Sequence, residues 1–393
     1  MAQQPNIRYY KPKEEFSLDI RDIESFVYDM SRCIKCKGCT WVDHTYMPGA
    51  KFMTRCPSAT LYEYDAYGAY GKLRIAHGMV EGKVDWNETA LEIVYACTLC
   101  GACDVGCKRN LDLEIELTLE ALRVKAVRDG VGPMPAHKKI AENIQKQHNM
   151  YGSPHDKRSA WVPQDAPPAD KADLLYFAGC AASYVNQEIA QSTARIFKAA
   201  GTPYMLMPDE WCCGNTVFSV GMFDEAKAMA ERNIEEVRKT GAKTLVTSCA
   251  EGYRMWKVDY PKLLNMATED LGFEVLHLVE FVDEKVKNGA LTLTKPFDTR
   301  LTYHDACSLS RLSEPWTPYT GKRGWMGCVE PRLKRRRGAN GVYAQPREIL
   351  QEIPGVDLIE MPRTRENAYC CGAGRGTKEA FPELAQFSAN HRL

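Results

Sequence analysis

The stretch CTLCGACDVGCK, residues 97–108, places four cysteines within twelve residues, and few folds accommodate thiols held that close together. Cys97-x2-Cys100-x2-Cys103-x3-Cys107 has the spacing that wraps a cubane [4Fe–4S] cluster, and Cys33-x2-Cys36-x2-Cys39 repeats its first three positions. Cys56 stands apart, directly before Pro57. A four-cysteine zinc site normally uses two well-separated CxxC pairs, so a third closely spaced cysteine in each group favours iron. A zinc-stabilised scaffold is the structural alternative.

In two-cluster ferredoxins each group of three takes its fourth ligand from the other group. That rule assigns Cys33, Cys36, Cys39 and Cys107 to one cluster, and Cys97, Cys100, Cys103 and Cys56 to the other. The chain departs from the usual pattern in two places: sixteen residues separate Cys39 from Cys56, and Lys108 stands where proline is common. Neither departure changes the number of ligands.

Composition agrees with metal binding rather than disulfides. The chain carries 16 cysteines in 393 residues. Its first residues lack the apolar core of a signal peptide, and no window approaches 18 consecutive apolar residues, so a cytoplasmic protein with reduced thiols is expected. Lys plus Arg and Asp plus Glu balance at 51 each, which gives no reason to expect nucleic acid or direct membrane insertion. An apolar fraction of 45% over this length fills two or three ordinary cores.

Composition also divides the chain. A polar, aromatic extension (1–30) precedes a two-cluster module (31–110) and a helical segment (111–152), in which Leu113, Leu117, Leu122, Val124 and Val127 fall near helical spacing before Gly130. The Pro- and charge-rich run 153–172 reads as an exposed linker. Beyond it, short apolar runs alternate with amphipathic helices, the pattern of an α/β domain. The strands are expected in DLLYFAG, PYMLMP and KTLVTS, each followed by cysteine: Cys180, Cys212–Cys213 and Cys249. Ligands of open α/β sheets gather beyond the carboxyl ends of the strands, so these cysteines are expected to converge. The same grammar returns in the last quarter: LLYFAGC matches RLTYHDAC, and YMLMPDEWCCG matches DLIEMPRTRENAYCCG. Cys180 and Cys212 are separated by 31 residues, Cys307 and Cys370 by 62. The two units therefore span 173–290 and 291–393, the second with an insertion near 311–341.

FAGCAASY, EWCCGN, YHDACS, QPREIL and AYCCGAGRG, together with CTLCGACDVGCK, give the chain a close resemblance to the D-subunit family of heterodisulfide reductases from about residue 30 onward. The resemblance implies an α+β ferredoxin-like two-[4Fe–4S] module with helices, followed by two α/β CCG domains related by internal repeat. It implies Cys180, Cys212, Cys213 and Cys249 as ligands of a non-cubane iron–sulfur cluster in the first copy. Cys307, Cys370 and Cys371 correspond in the second, whose occupancy is left open. Within the family, CKGCTWVDHTYMPGAKFMTRCPS is most similar to the iron–sulfur subunit of the ATP-independent (class II) benzoyl-CoA reductase complex. Two departures weaken the second site and alter the first. Gly252 stands where the family's fifth cysteine closes the first copy, and only 22 residues follow Cys371, too few for a matching closure.

Other residues have plainer readings. Cys328 is expected as an ordinary loop cysteine, His304 beside Asp305 as a structural histidine, Glu251 as an exposed acid, and KRRR at 334–337 as solvated surface. GAGRG (372–376) lacks the Lys-Ser/Thr ending of a phosphate loop and reads as a turn that brings amides to sulfur. The expected function is an electron-transfer subunit of a multi-subunit anaerobic reductase, with flavin or iron–sulfur subunits as partners. The alternative is a catalytic heterodisulfide reductase subunit. If the two tight groups hold cubanes, anaerobically purified protein should contain at least about eight iron atoms per chain; stoichiometric zinc with little iron would rule the reading out.

Overall fold

LLYF, YML, TLVT and EVLH are short runs rich in aromatic and branched side chains, suited to a pleated, two-sided core. In the computed structural model, which describes residues 14–42, 47–108, 111, 113–324, 329–331 and 338–392, they form one parallel sheet. Its strand order is Tyr204–Leu206, Leu174–Phe177, Thr244–Thr247, Glu274–His277. Alternate side chains face opposite cores. Leu175, Phe177, Leu245 and Val275 join the large core shared with the helical N-terminal half. Leu174, Tyr176 and Val246 pack with Trp161, Phe197 and Phe281 on the other side. Both faces are covered, as a parallel sheet requires. The first three strands match the sequence reading. The fourth escapes it because only Val275 and His277 of that run are buried, too weak a pattern at a sheet edge.

The register aligns Leu174 with Tyr204 and Thr244, so neighbouring strands finish nearly level. Cys180, Cys212–Cys213 and Cys249 therefore leave from one edge of the sheet. Thr299–Leu301 and Val356–Leu358 make a second parallel pair, with the helix Ala344–Glu352 between them in the chain. Cys307 follows the first strand of this pair and Cys370–Cys371 the second.

The cluster-type module is helical rather than α+β. Among the described residues of 18–152, the single strand-type pairing is an isolated bridge between Trp41 and Thr54. The rest is helix, including Pro57–Tyr62, Ala69–Val80, Ala102–Cys107 and Ile115–Arg128, and the turns that join such helices. Local signals favour this outcome: Pro57 opens its helix at the first turn, and the Asn87 side chain caps the helix Glu88–Tyr95 through Ala90 N at 2.8 Å.

Two further expectations change. The run 153–172 is not an exposed linker: Trp161 is buried edge-on against Tyr176, and Ala169 N donates to Tyr204 O at 2.8 Å. Its prolines prevent regular structure without preventing burial. The insertion also begins inside the protein, where Arg311, Leu312, Ser313, Glu314 and Trp316 are buried. Its Thr320–Arg323 strand then pairs antiparallel with Glu14–Ser17 from the extension and with Val329–Glu330. Cys328 and the 334–337 run lie outside the described residues.

Six buried charges lock the units together. Arg254 contacts Glu116 (2.8 Å), Glu120 (2.7 Å) and Asp259 (3.0 Å), while Lys262 contacts Glu120 (2.6 Å) and Asp259 (2.8 Å). Arg375, from the second unit, reaches Glu116 at 3.2 Å. Three cations face three carboxylates, so the knot carries no net charge. It joins the helix Ile115–Arg128, the π-helical turn Met255–Asp259 and the loop after Cys371.

Replacing Trp161 with Ala should cost about 3–5 kcal/mol, the usual range for emptying a buried aromatic site, read as a lower denaturant midpoint under anaerobic conditions. An unchanged midpoint would restore the linker reading.

Candidate metal centres

Cysteines two residues apart cannot all face one point unless the chain winds tightly between them. Lys35 and Lys37 accordingly take left-handed backbone angles, with φ of 58° and 62°. The same loop rests on the helix Ala102–Cys107, so closely that a Cβ at Gly106 would collide with Gly38 O. That crossing brings Cys107 to the first group: Cys33 and Cys107 both act on Cys39, and Cys33 acts on Cys107. Cys36 occupies the exposed part of the loop.

Cys56, Cys97, Cys100 and Cys103 line one internal cavity with about 410 Å³ of space between atoms. Burial pushes the Cys56 thiol up to about 11, against the pull of Lys72. Lys72 is itself buried, with Nζ donating to Ser58 Oγ at 3.2 Å and to Tyr67 O. Arg123, also buried, donates to the carbonyls of Cys97 (2.6 Å), Tyr95 (3.1 Å) and Ser219 (2.8 Å). Buried cations without carboxylate partners in direct contact are costly, and here both lie beside a group of thiols. Thiolates are soft donors suited to iron–sulfur clusters, whose negative charge these cations offset. The cavity, its donors and its charge fit such a group.

At the carboxyl edge of the sheet, the thiols of Cys180 and Cys212 are in hydrogen-bond contact, as are those of Cys212 and Cys213, and Cys249 lies near Cys180. Backbone amides turn toward sulfur: Gly214 N donates to Cys212 Sγ and Gly252 N to Cys249 Sγ, each at 3.4 Å. Gly252 thus supplies an N–H where the family has a fifth cysteine. Arg158, from the run expected as linker, donates to Cys180 Sγ at 3.6 Å and pairs with Glu210 at 2.7 Å, both side chains buried. Glu210 also accepts from Ala178 N (3.1 Å) and Gly179 N (3.0 Å).

The second cysteine pair is not isolated. The Cys370 thiol is in hydrogen-bond contact with Cys100, Cys307 and Cys371, so the cavity group and this group touch through Cys100 and Cys370. Arg311 spans the junction, donating to Cys100 O (2.7 Å), Ala368 O (2.6 Å) and Glu366 O (3.0 Å). Gly372 N donates to Cys370 Sγ at 3.3 Å, as expected for the GAGRG turn. His304 contacts Cys371, while its Nδ1 accepts from Arg392 Nε at 2.9 Å. Glu251 is half-buried rather than exposed; burial pushes its carboxyl up to about 7, opposed by Arg375 and assisted by Cys307 and Cys371.

The cysteine groups were legible from spacing. Lys72, Arg123, Arg158 and Arg311 were not, since a lone basic residue far from a cysteine in sequence looks like surface. A weak signal exists for Arg123 alone, which interrupts the apolar face of LTLEALRVKAV.

Family models agree with this division. A 4Fe-4S dicluster domain matches residues 29–111, and a cysteine-rich CCG domain matches 174–255 and 325–392. A dicluster unit joined to two cysteine-rich units defines an iron–sulfur oxidoreductase component. The chain belongs to the D-subunit family of heterodisulfide reductases: it is 32% identical over 388 residues to the D subunit of the dihydromethanophenazine:CoB–CoM heterodisulfide reductase of Methanosarcina acetivorans, covering 97% of this chain and 87% of that one. It is 28% identical over 295 residues to the B subunit of the fumarate reductase (CoM/CoB) of Methanothermobacter marburgensis, covering 75% and 51%. With the EtfAB:quinone oxidoreductase of Syntrophomonas wolfei it shares 25% identity over 411 residues, covering 94% and 52%. No solved structure matches the chain. Among the described residues, no helix is long and apolar enough to cross a membrane.

Arg158→Leu should destabilise the protein by about 3–5 kcal/mol, because it leaves Glu210 buried without its cation. Adding Glu210→Gln, which removes the charge but keeps an acceptor for Ala178 and Gly179, should recover part of that loss in anaerobic denaturant titrations. A double variant no better than the single one would refute the ion-pair account.

Proposed function

We propose that this chain is the cytoplasmic electron-transfer subunit of a multi-subunit anaerobic reductase. Cys33, Cys36, Cys39 and Cys107 hold one [4Fe–4S] cluster, and Cys56, Cys97, Cys100 and Cys103 the other. Cys180, Cys212, Cys213 and Cys249 hold a non-cubane cluster, and the two CCG units are copies of one repeat. When bound, such clusters store and pass single electrons at potentials between roughly −700 and +450 mV. The observation that carries the reading is the contact between Cys100 and Cys370, which links a dicluster cysteine directly to a CCG cysteine.

The chain's own residues divide the work. The exposed Cys33–Cys39 loop, with Ile34 67% exposed beside Cys36, offers a face for a flavin or iron–sulfur partner. Lys72 and Arg123 favour added negative charge at the cavity group. Arg311 holds Cys100 and the Cys370 segment in one frame by three carbonyl contacts. The 33–58 stretch supports a place beside the iron–sulfur subunit of the class II benzoyl-CoA reductase complex. The family's founding name supports the rival reading, a catalytic heterodisulfide reductase subunit; the N–H of Gly252 in place of a fifth thiolate weighs against it.

Cys100→Ala should abolish the paramagnetic resonance signal of one reduced cubane and leave the other; retention of both signals would refute the ligand assignment. The chemically reduced, isolated chain should pass electrons to a dye yet reduce small heterodisulfides slowly. Rapid heterodisulfide turnover by the chain alone would favour the catalytic reading.

A further inference from the structure

The second CCG unit contributes three cysteines to its site among the described residues, one fewer than the first. What faces them is a carboxylate from the other copy. Glu251 sits two residues beyond Cys249, on the short helix Ala250–Arg254 at the end of the Thr244–Thr247 strand. Its side chain leaves the first unit and lies on the CCGAGRG loop of the second. The fit is close: a Cβ at Gly374 would collide with Glu251 Oε1, so the carboxylate occupies the space that a side chain at 374 would take. The Arg375 amide donates to it from the same loop.

The electrostatics of this arrangement are unfavourable as they stand. Glu251 lies close enough to Cys307 and Cys371 for both to act on it as like charges. The guanidinium of Arg375, the nearest cation, is engaged elsewhere: it donates to Leu99 O (2.6 Å), Glu116 (3.2 Å) and Ser308 Oγ (3.3 Å). Among the described residues no lysine or arginine forms an ion pair with Glu251. A carboxylate gathered with thiolates away from water is stable when a cation stands between them.

His304 is the other candidate for an extra donor, and its hydrogen bonds exclude it. Arg392 Nε can only donate, so His304 Nδ1 is its acceptor at 2.9 Å. The ring proton then resides on Nε2, on the side that contacts Cys371. His304 is thereby a hydrogen-bond donor to a ligand, orienting it as outer partners of metal ligands do.

We propose that Glu251 is the fourth ligand of an iron centre built by Cys307, Cys370 and Cys371, so that the two CCG copies assemble this centre jointly. The inference rests on the iron–sulfur reading above. It makes the second centre chemically unlike the first, because one position carries a hard oxygen donor among soft sulfurs. An oxygen ligand in such a set is the one that an incoming thiolate displaces.

The test uses the full chain, purified anaerobically with its iron, and reads the electronic structure of the iron rather than turnover. Glu251→Ala should remove or reshape the Mössbauer and paramagnetic resonance signature of the second centre while both cubane signals keep full intensity. Those retained signals also certify that the variant is folded. Glu251→Gln, nearly equal in shape, should do the same, whereas Glu251→Cys should retain the centre with a shifted spectrum. Added small thiol should perturb the wild-type signature and leave that of Glu251→Cys unchanged. Cys371→Ala is the control that reports on the centre itself. If Cys371→Ala erases a signature that Glu251→Ala and Glu251→Gln leave intact, the centre exists and the assignment of Glu251 is wrong. If Cys371→Ala alters no iron signal, no centre is built there, and the functional reading of this site falls together with the inference.

Discussion

The arrangement depends on a knot of six buried charges, Arg254, Lys262 and Arg375 against Glu116, Glu120 and Asp259. A buried ionic network adds little net stability over apolar packing, because desolvation consumes much of the attraction. Its effect is on geometry. Each charge has to meet its partner, so the helix after the dicluster module, the turn beyond the sheet and the loop after Cys371 accept one mutual placement. Glu116 belongs to this knot and also lines the cavity of Cys56, Cys97, Cys100 and Cys103. Arg375 binds Leu99 O, next to Cys100. The positions of the cysteine groups relative to one another are therefore set by groups that are not themselves ligands.

That placement gives the two CCG units different neighbours. The first faces Arg158, which reaches Cys180 from the Pro-rich run. The second faces the dicluster module through Cys100 and the first unit through Glu251. A unit with fewer cysteines of its own thus stands at the junction of all three parts. Lys72 and Arg123 complete the picture on the dicluster side, where burial of two cations makes sense only beside compensating negative charge.

Much of this was legible in the chain. Cys97 to Cys107 and Cys33 to Cys39 announce themselves because cluster ligands must lie within one or two turns of each other. The strands at 174–177, 204–206 and 244–247 show because a sheet covered on both faces needs unbroken apolar runs. The strand Glu274–His277 did not show, since half of it is exposed. The run 153–172 misled for a different reason: proline and charge report what the backbone cannot form, and say nothing of what Trp161 can fill.

Sequence alone determined the donors, their grouping by spacing and the alternation of strands and helices, because each of these is fixed by contacts between residues close together in the chain. Only the tertiary structure decided that Cys100 meets Cys370, that Arg311 bridges them, and that Glu251 serves the opposite copy. Cys100 and Cys370 stand 270 positions apart, Cys100 and Arg311 211, and Glu251 and Cys371 120. No local periodicity records which side chain will fill the space above a glycine elsewhere in the chain.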